Sequence, residues 1–188
     1  TFTGGLATTG NTSNPATVNA AGTINTTDTR MDIGAVTLTA ATTFDTGNAA
    51  AGILNIGAVT SQTNALTLDS GSTALATMGL TSMVDASGGL TIRDSGGLAT
   101  IGDIGSGTAG AVTITDSTGG VTFNANVDST TFTIAKALDA AVITFTGDTV
   151  DITTAFNPNI ATGVGADDTS DAYSVTINTR AFNAAGDT

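Results

Sequence analysis

Aspartate is the residue type in this sequence that is best placed to do chemistry. All 16 acidic residues are Asp, and the chain contains no His and no Cys. A carboxylate can bind a hard cation such as Ca²⁺, act as a general acid or base, or cap a turn. Because imidazole and thiolate are missing from the sequence, any metal or acid–base chemistry would depend on oxygen atoms.

Two sets of Asp occupy matching positions in short repeated strings. The first set is Asp69, Asp94 and Asp116, and the second is Asp85, Asp128 and Asp151. If the repeats stack, each set forms a column of like charges that oppose one another. Such a column suggests bound Ca²⁺ or another form of charge compensation. We favour turn capping by local hydrogen bonds, since no EF-hand or glycine-and-aspartate nonapeptide is present.

A further group of carboxylates lies in a Gly-rich loop near the C-terminus. Asp167, Asp168 and Asp171 could together supply the flexible oxygen ligands that Ca²⁺ prefers. With Asp94 and Asp116 they make up the candidate Ca²⁺-binding residues of the sequence. A solvated acidic loop is the simpler interpretation of this group, and we favour it.

The elements that must position these residues are short and repeated. The string Ile-Gly-Ala-Val-Thr occurs at 33–37 and again at 56–60, and three families of such segments recur in fixed order about every 22 residues. Within a segment apolar residues alternate with Thr, as in 112–115, which is the pattern of a strand with one buried face. The sequence therefore predicts an all-β protein, a three-sided β-solenoid of about 22 residues per coil. An antiparallel β-sandwich is the alternative, but it requires no recurring spacing.

The repeats divide the chain into three parts. We expect a cap or connection over 1–30, solenoid repeats over 31–156, and a loop with one terminal strand over 157–188. In the repeats, Ile92, Ile114 and Ile134 should point inward on successive coils. The segment beginning at Leu75 aligns with the one beginning at Leu98.

Pairs of Thr two residues apart should display hydroxyl groups on the solvent face. These pairs are Thr37 and Thr39, Thr113 and Thr115, Thr131 and Thr133, and Thr144 and Thr146. Regular Thr pairs on one face would suggest ice binding. Here the pairs are scattered over the segment families, so ordinary β-propensity explains them better.

The charge balance excludes several functions. The net charge is −12 with only four basic residues, so clustered cationic contacts to nucleic acid or to an anionic membrane surface are excluded. No apolar run approaches the roughly 18 residues of a membrane helix. Polysaccharide-cleaving sites pair carboxylates with basic and aromatic residues, which are sparse here, so we expect no enzyme activity.

Degenerate repeats built as Gly-Ala followed by Val-Thr-Ile or Val-Thr-Leu, with Asp-Ser-Gly corners, resemble those of filamentous-haemagglutinin-type adhesins. They are also similar to autotransporter passenger domains. The likeness covers roughly residues 30–156. It implies a right-handed parallel β-helix, extracellular and on a bacterial surface, that adheres to cells or surfaces without catalysis.

The resemblance also implies partners. They would be a glycan or protein on a host or neighbouring cell, and the chain would be an internal segment of a longer polypeptide or a processed form. The alternative is a self-assembling subunit of a surface filament, sheath or S-layer that binds copies of itself, because the ends of a solenoid expose unpaired strand edges.

Overall fold

The computed structural model describes residues 1–135, 141–158 and 174–184, and within them it contains strands and no helix. The strands pair in parallel and stack as a β-solenoid of about six turns. In chain order they are β1 (Leu6–Ala7), β2 (Val18–Asn25), β3 (Met31–Ile33), β4 (Val36–Asp45), β5 (Leu54–Thr60), β6 (Leu66–Gly71), β7 (Met78–Asp85), β8 (Leu90–Ser95), β9 (Ala99–Thr108), β10 (Gly110–Ile114), β11 (Val121–Phe123), β12 (Val127–Ile134), β13 (Val142–Phe145), β14 (Thr149–Pro158), β15 (Ser174–Ile177) and β16 (Ala181–Ala184).

The strands form three ladders, which we name faces A, B and C. Face A stacks β1, β3, β5, β7, β9, β11, β13 and β15. Face B stacks the second halves of β2 and β4 with β6, β8, β10, β12 and β14. Face C is formed by the first halves of β2, β4, β12 and β14, the later parts of β5, β7 and β9, and β16. The longer strands therefore turn a corner, and the predicted three-sided parallel β-helix is confirmed.

Alternating residues build the core. Ile114 lies opposite Ile92 on one side and Ile134 on the other, and all three are fully buried. Val, Ile and Leu suit this position because a branched or long apolar side chain packs well on a pleated surface. The inward register predicted for these three residues is confirmed.

The later turns of the core are aromatic. Phe123 and Phe145 stack with ring centroids 5.2 Å apart, and Phe132 meets both edge-on at 5.3 Å. Phe156 and Phe182 continue the cluster, with centroids 5.6 Å apart. Such contacts add about 0.5–1.5 kcal/mol per pair to the burial of the ring surface.

Buried hydroxyl groups hold the corner that follows face B. Ser70 Oγ donates to the carbonyl of Ala76 at 3.0 Å, and Ser95 Oγ donates to Ser117 Oγ at 2.8 Å. Thr46 Oγ1 makes the same kind of bond to the carbonyl of Gly52. Each hydroxyl therefore has a partner, which offsets the desolvation of a polar group inside the fold.

The ladders continue past the sequence boundaries expected at residues 30 and 156. Strands β1 and β2, within 1–30, pair with β3 and β4. Beyond residue 156, β15 and β16 pair with β13 and β14, where the sequence predicted a single terminal strand.

One predicted equivalence is wrong by two residues. Met78 lies opposite Ala99, and Leu80 lies opposite Ile101, so the segments at Leu75 and Leu98 are offset. Leu75 is 70% exposed and lies in the loop before β7. A shift of two residues keeps the same side chains inward, since the side-chain period of a strand is two.

Candidate functional site

Two carboxylates of the first Asp set, those of Asp69 and Asp94, line up on face B with that of Asp45, which does not belong to the set. Asp45 lies opposite Asp69, and Asp69 lies opposite Asp94 on the next turn. One oxygen of each of the first two serves a turn: Asp45 Oδ1 accepts the N–H of Gly47 at 2.8 Å, and Asp69 Oδ1 accepts that of Gly71 at 2.9 Å. These bonds have the geometry of Asp turn caps.

The Oδ2 atoms of Asp45 and Asp69 face the guanidinium group of Arg93. Arg93 Nε donates to Asp69 Oδ2 at 2.6 Å, and Nη2 lies 2.6 Å from the same oxygen. Nη2 is also 3.6 Å from Asp45 Oδ2, two turns away from Arg93. The guanidinium therefore offsets the mutual repulsion of two stacked carboxylates.

A β-bulge places Arg93 in this position. Leu68 pairs with Ile92 and Asp69 pairs with Asp94, so Arg93 is an extra residue in β8 without an opposite residue in β6. A bulge bends its strand and re-aims a side chain. The charge compensation anticipated for the Asp column is thus supplied at Asp69 by an arginine, which also reaches Asp45, a residue outside that column.

Two members of the candidate Ca²⁺ set lie on neighbouring turns. Asp94 belongs to the ladder just described, and Asp116 follows the end of β10 by two residues, next to Ser117, whose Oγ accepts a hydrogen bond from Ser95 Oγ at 2.8 Å. Asp167, Asp168 and Asp171 lie outside the described residues. Within the described residues, no group of three or more Asp side chains is arranged to hold a metal ion. Ca²⁺ binding stays a prediction.

The second Asp set is aligned wrongly at one member. Asp128 lies opposite Asp151, as expected. Met83, however, aligns with Ile104 and Val127, so Val84 and not Asp85 matches Asp128. Asp85 Oδ1 instead accepts bonds from Ser87, at 2.7 Å from Oγ and 3.2 Å from N–H, and these bonds lower the pKa of Asp85. Asp85 is therefore a turn cap.

Asp128 lies in an acidic environment on face C. Partial burial raises its pKa first, and the nearby charges of Asp151 and Asp103 raise it further. Asp103 Oδ2 accepts a hydrogen bond from Ser106 Oγ at 2.6 Å.

Asp32, on face A, is paired with a cation. Arg30 Nε lies 2.5 Å from its Oδ2, and the side-chain amide of Asn55 donates to its Oδ1 at 2.7 Å. The hydrogen bond from Arg30 is the main reason why the pKa of Asp32 is lowered.

Face B carries a row of Thr, of which the sequence repeats align Thr91, Thr113 and Thr133, the residues just before Ile92, Ile114 and Ile134. One outward Thr from each of six turns lies directly opposite the next, and Asn157 continues the row. The six are Thr23, Thr43, Thr67, Thr91, Thr113 and Thr133. Ala41, Ala65 and Ala111, two residues before three of them, are exposed. The result is a surface of methyl and hydroxyl groups, bordered on face B by Asp45, Asp69 and Arg93, which we call the Thr–Ala face. Ice binding, considered for the scattered Thr pairs, stays a prediction.

Two shallow depressions on the surface are open to solvent. One is lined by Asn55, Gly79, Thr100, Gly102 and Asn124. The other lies between Asp103 and Asp148, beside Asn124 and Asn126. The polar lining belongs to outward residues of strands and corners, while the interior is filled by apolar side chains.

No family model, curated protein or solved structure matches this chain. Its class therefore follows from the fold: the chain is a β-solenoid repeat protein. In the described residues we find no helix that is long and apolar enough to cross a membrane.

Proposed function

We propose that this chain is a non-catalytic structural and adhesive segment of the extracellular surface of a bacterium. Its ligand would be a glycan or protein on a host or neighbouring cell. The observation that carries this proposal is the Thr–Ala face, which runs unbroken through six turns of the solenoid.

The composition of that face suits contact with a polar partner. Thr67, Thr91 and Thr113 are each half-buried by their stacked neighbours, so little side-chain freedom remains to be lost on binding. Hydroxyl groups donate and accept hydrogen bonds, and the methyl groups of Thr and Ala add apolar contact. The resemblance of the repeats to filamentous-haemagglutinin-type adhesins supports the same proposal.

An adhesion assay tests the proposal. Beads coated with the purified chain should bind to cells or to an array of surface glycans. The double variant Thr67→Lys with Thr113→Lys, which places charge in the middle of the Thr–Ala face, should reduce binding at least tenfold. Thr122→Lys on face A is the matched control and should bind like wild type. Binding no greater than that of beads coated with an unrelated acidic protein would overturn the proposal.

A second function rests on a different observation. Among the described residues, β1 and β2 at one end and β15 and β16 at the other have a strand partner on one side only, although Phe2 forms a bridge with Thr26 just past the end of β2. Unpaired edges invite a further strand. We therefore also propose a self-assembling subunit of a surface filament, sheath or S-layer.

A further inference from the structure

The two ends of the solenoid are less well covered than its middle. Core residues of the interior turns are 0–3% exposed, whereas those of the end turns, apart from Ala20, are only partly buried. At the first end they are Leu6, Val18 and Ile24, and at the last they are Phe156, Val175, Phe182 and Ala184. Phe2 and Ile177, at opposite ends, are 47% and 45% exposed. Within the described residues, apolar side chains of the end turns are therefore less covered than those of the interior turns.

The outward residues of the end strands on faces A and C are uncharged. On face A they are Ala7 and Thr176, and on face C they are Asn19 and Asn183. Interior turns of this acidic chain do place like charges opposite each other, as with Asp128 and Asp151. A junction between the two ends would bring no such pair together on these two faces, so it would lack this source of repulsion.

The end turns also share one continuous register. The outward row of face A runs from Ala7 through Asp32, Asn55 and the later turns to Thr176 without interruption. On face C, the first turn has Val-Asn-Ala at 18–20 and the last has Phe-Asn-Ala at 182–184. In each string the first and third residues belong to the core and the Asn points outward.

We propose that the last turn of one copy binds the first turn of a second copy, with β15 beside β1 and β16 beside β2. This inference rests on the second proposed function and specifies its partner and register. Thr176 of one copy would lie opposite Ala7 of the next, and Asn183 opposite Asn19. Val175 and Phe182 would cover Leu6 and Val18 in the way that each interior turn covers its neighbour.

A second copy fits these ends because the contact repeats one that the fold already makes. Each interior turn presents a parallel edge and an apolar layer to the next, and the first turn presents the same features to whatever lies against it. The contact is heterologous, since two different surfaces of one chain meet. It does not close, so it generates an open filament whose length depends on concentration.

Sedimentation velocity and electron microscopy of the full 188-residue chain test the inference, from about 1 µM to about 1 mM, the range of Kd of weak specific contacts. Wild type should form short rods of increasing length. Ala7→Lys with Thr176→Lys places two ammonium groups opposite each other at the junction, while inside one copy Lys at 7 faces Asp32 and Lys at 176 faces Thr144. At low salt this variant should need at least tenfold more protein to associate, and Ala7→Lys with Thr176→Asp should restore association.

Thr122→Lys lies in the same row between Thr100 and Thr144, and it is the control for charge in an interior turn. A second pair, Asn19→Lys with Asn183→Lys, tests face C if the first pair fails to fold by circular dichroism. Rods that form equally well in a folded Lys–Lys variant would overturn this register while leaving self-assembly intact. A wild-type chain that stays monomeric at all concentrations would overturn both, and the adhesion assay would be unaffected.

Discussion

Arg93 Nη2 lies 2.6 Å from Asp69 Oδ2, a residue of the preceding turn, and 3.6 Å from Asp45 Oδ2, one turn further away. One guanidinium thus spans three consecutive turns of the solenoid. The bulge at Arg93 lets it do so, because the extra residue leaves Asp69 opposite Asp94 while the side chain reaches back along face B.

Removing this cation should destabilise the fold in a salt-dependent way. Arg93→Gln removes the positive charge that lies beside Asp69 and Asp45, so we expect the free energy of unfolding to fall by about 1 kcal/mol at low salt. Urea unfolding at low and high NaCl measures the effect, and salt should reduce the deficit by screening. The control is Arg30→Gln, which loses a pair with Asp32 alone and should cost less. A deficit unchanged by NaCl would show that Arg93 acts through packing.

Calcium should compete with Arg93 for the same oxygens. If the Asp ladder binds Ca²⁺, CaCl2 should raise the melting temperature of Arg93→Gln more than that of wild type at constant ionic strength. Native-state binding alone adds about 2.7 kcal/mol at one hundred times Kd. Adding Asp94→Asn should reduce the gain. Identical melting curves in CaCl2 and in matched NaCl for all variants would exclude a Ca²⁺ site at this ladder.

The acidic environment of Asp128 should make the free energy of unfolding depend on pH. Its pKa is raised above the ordinary 3.8, so its contribution to stability is complete below that pH and is lost as pH rises through the folded value. Asp128→Asn should therefore stabilise the chain near pH 7, by about 0.5 kcal/mol after allowance for solvent screening. Near pH 3 variant and wild type should unfold alike.

Asp32→Asn is the control, and it should change the stability near pH 7 in the opposite direction. Arg30 and Asn55 lower the pKa of Asp32, so its contribution is present above 3.8 and is lost as pH falls through the folded value. This variant should be destabilised near pH 7 and equal to wild type only in acid. Denaturant melts at several pH values measure both variants. If both lost stability together at neutral pH, the charges around Asp128 would be misassigned.

Adjacent residues of β10 should differ sharply in their tolerance of charge. Ile114 is fully buried between Ile92 and Ile134, so Ile114→Asp would bury an unpaired carboxylate and cost several kcal/mol, about 3 or more. Thr113 points outward between Thr91 and Thr133, and Thr113→Asp should change stability by about 0.5 kcal/mol or less. Thermal unfolding followed by circular dichroism compares the two. A variant at Ile114 that melts with wild type would refute the inward register.

Much of the fold could be predicted because its main signals are local. Alternation assigns Ile92, Ile114 and Ile134 to the core, and the recurring spacing requires turns that stack. The offset of Leu75 against Leu98 could not be detected, since a slip of two residues preserves the inward pattern and loops of variable length absorb it. Asp85 falls outside the row of Asp128 for another reason: the register of β7 against β9 shifts between Met83 and Asp85.

The candidate site was predictable only in its residue types. The repeated Asp were visible in the sequence, and the extra residue Arg93 was visible in its string. Its reach to Asp45 depends on how far a bulged side chain extends across stacked turns, which spacing along the chain does not encode. Most of the Thr row could be predicted, because Thr91, Thr113 and Thr133 directly precede the aligned Ile92, Ile114 and Ile134. Its continuation to Thr43 could not, because Thr43 lies in a string of different composition and only the pairing of the turns places it opposite Thr67.

The stacking of each turn on its immediate neighbours also determines how the molecule bears mechanical load. Backbone hydrogen bonds between turns run parallel to the solenoid axis, so tension between the two ends loads the hydrogen bonds that join one turn to the next on all three faces. Because a turn contacts only the turns before and after it, rupture of one such junction leaves the other junctions intact. The chain should therefore lengthen under force in steps of one turn, about 22 residues each, and should shorten again by the same steps when the force is released.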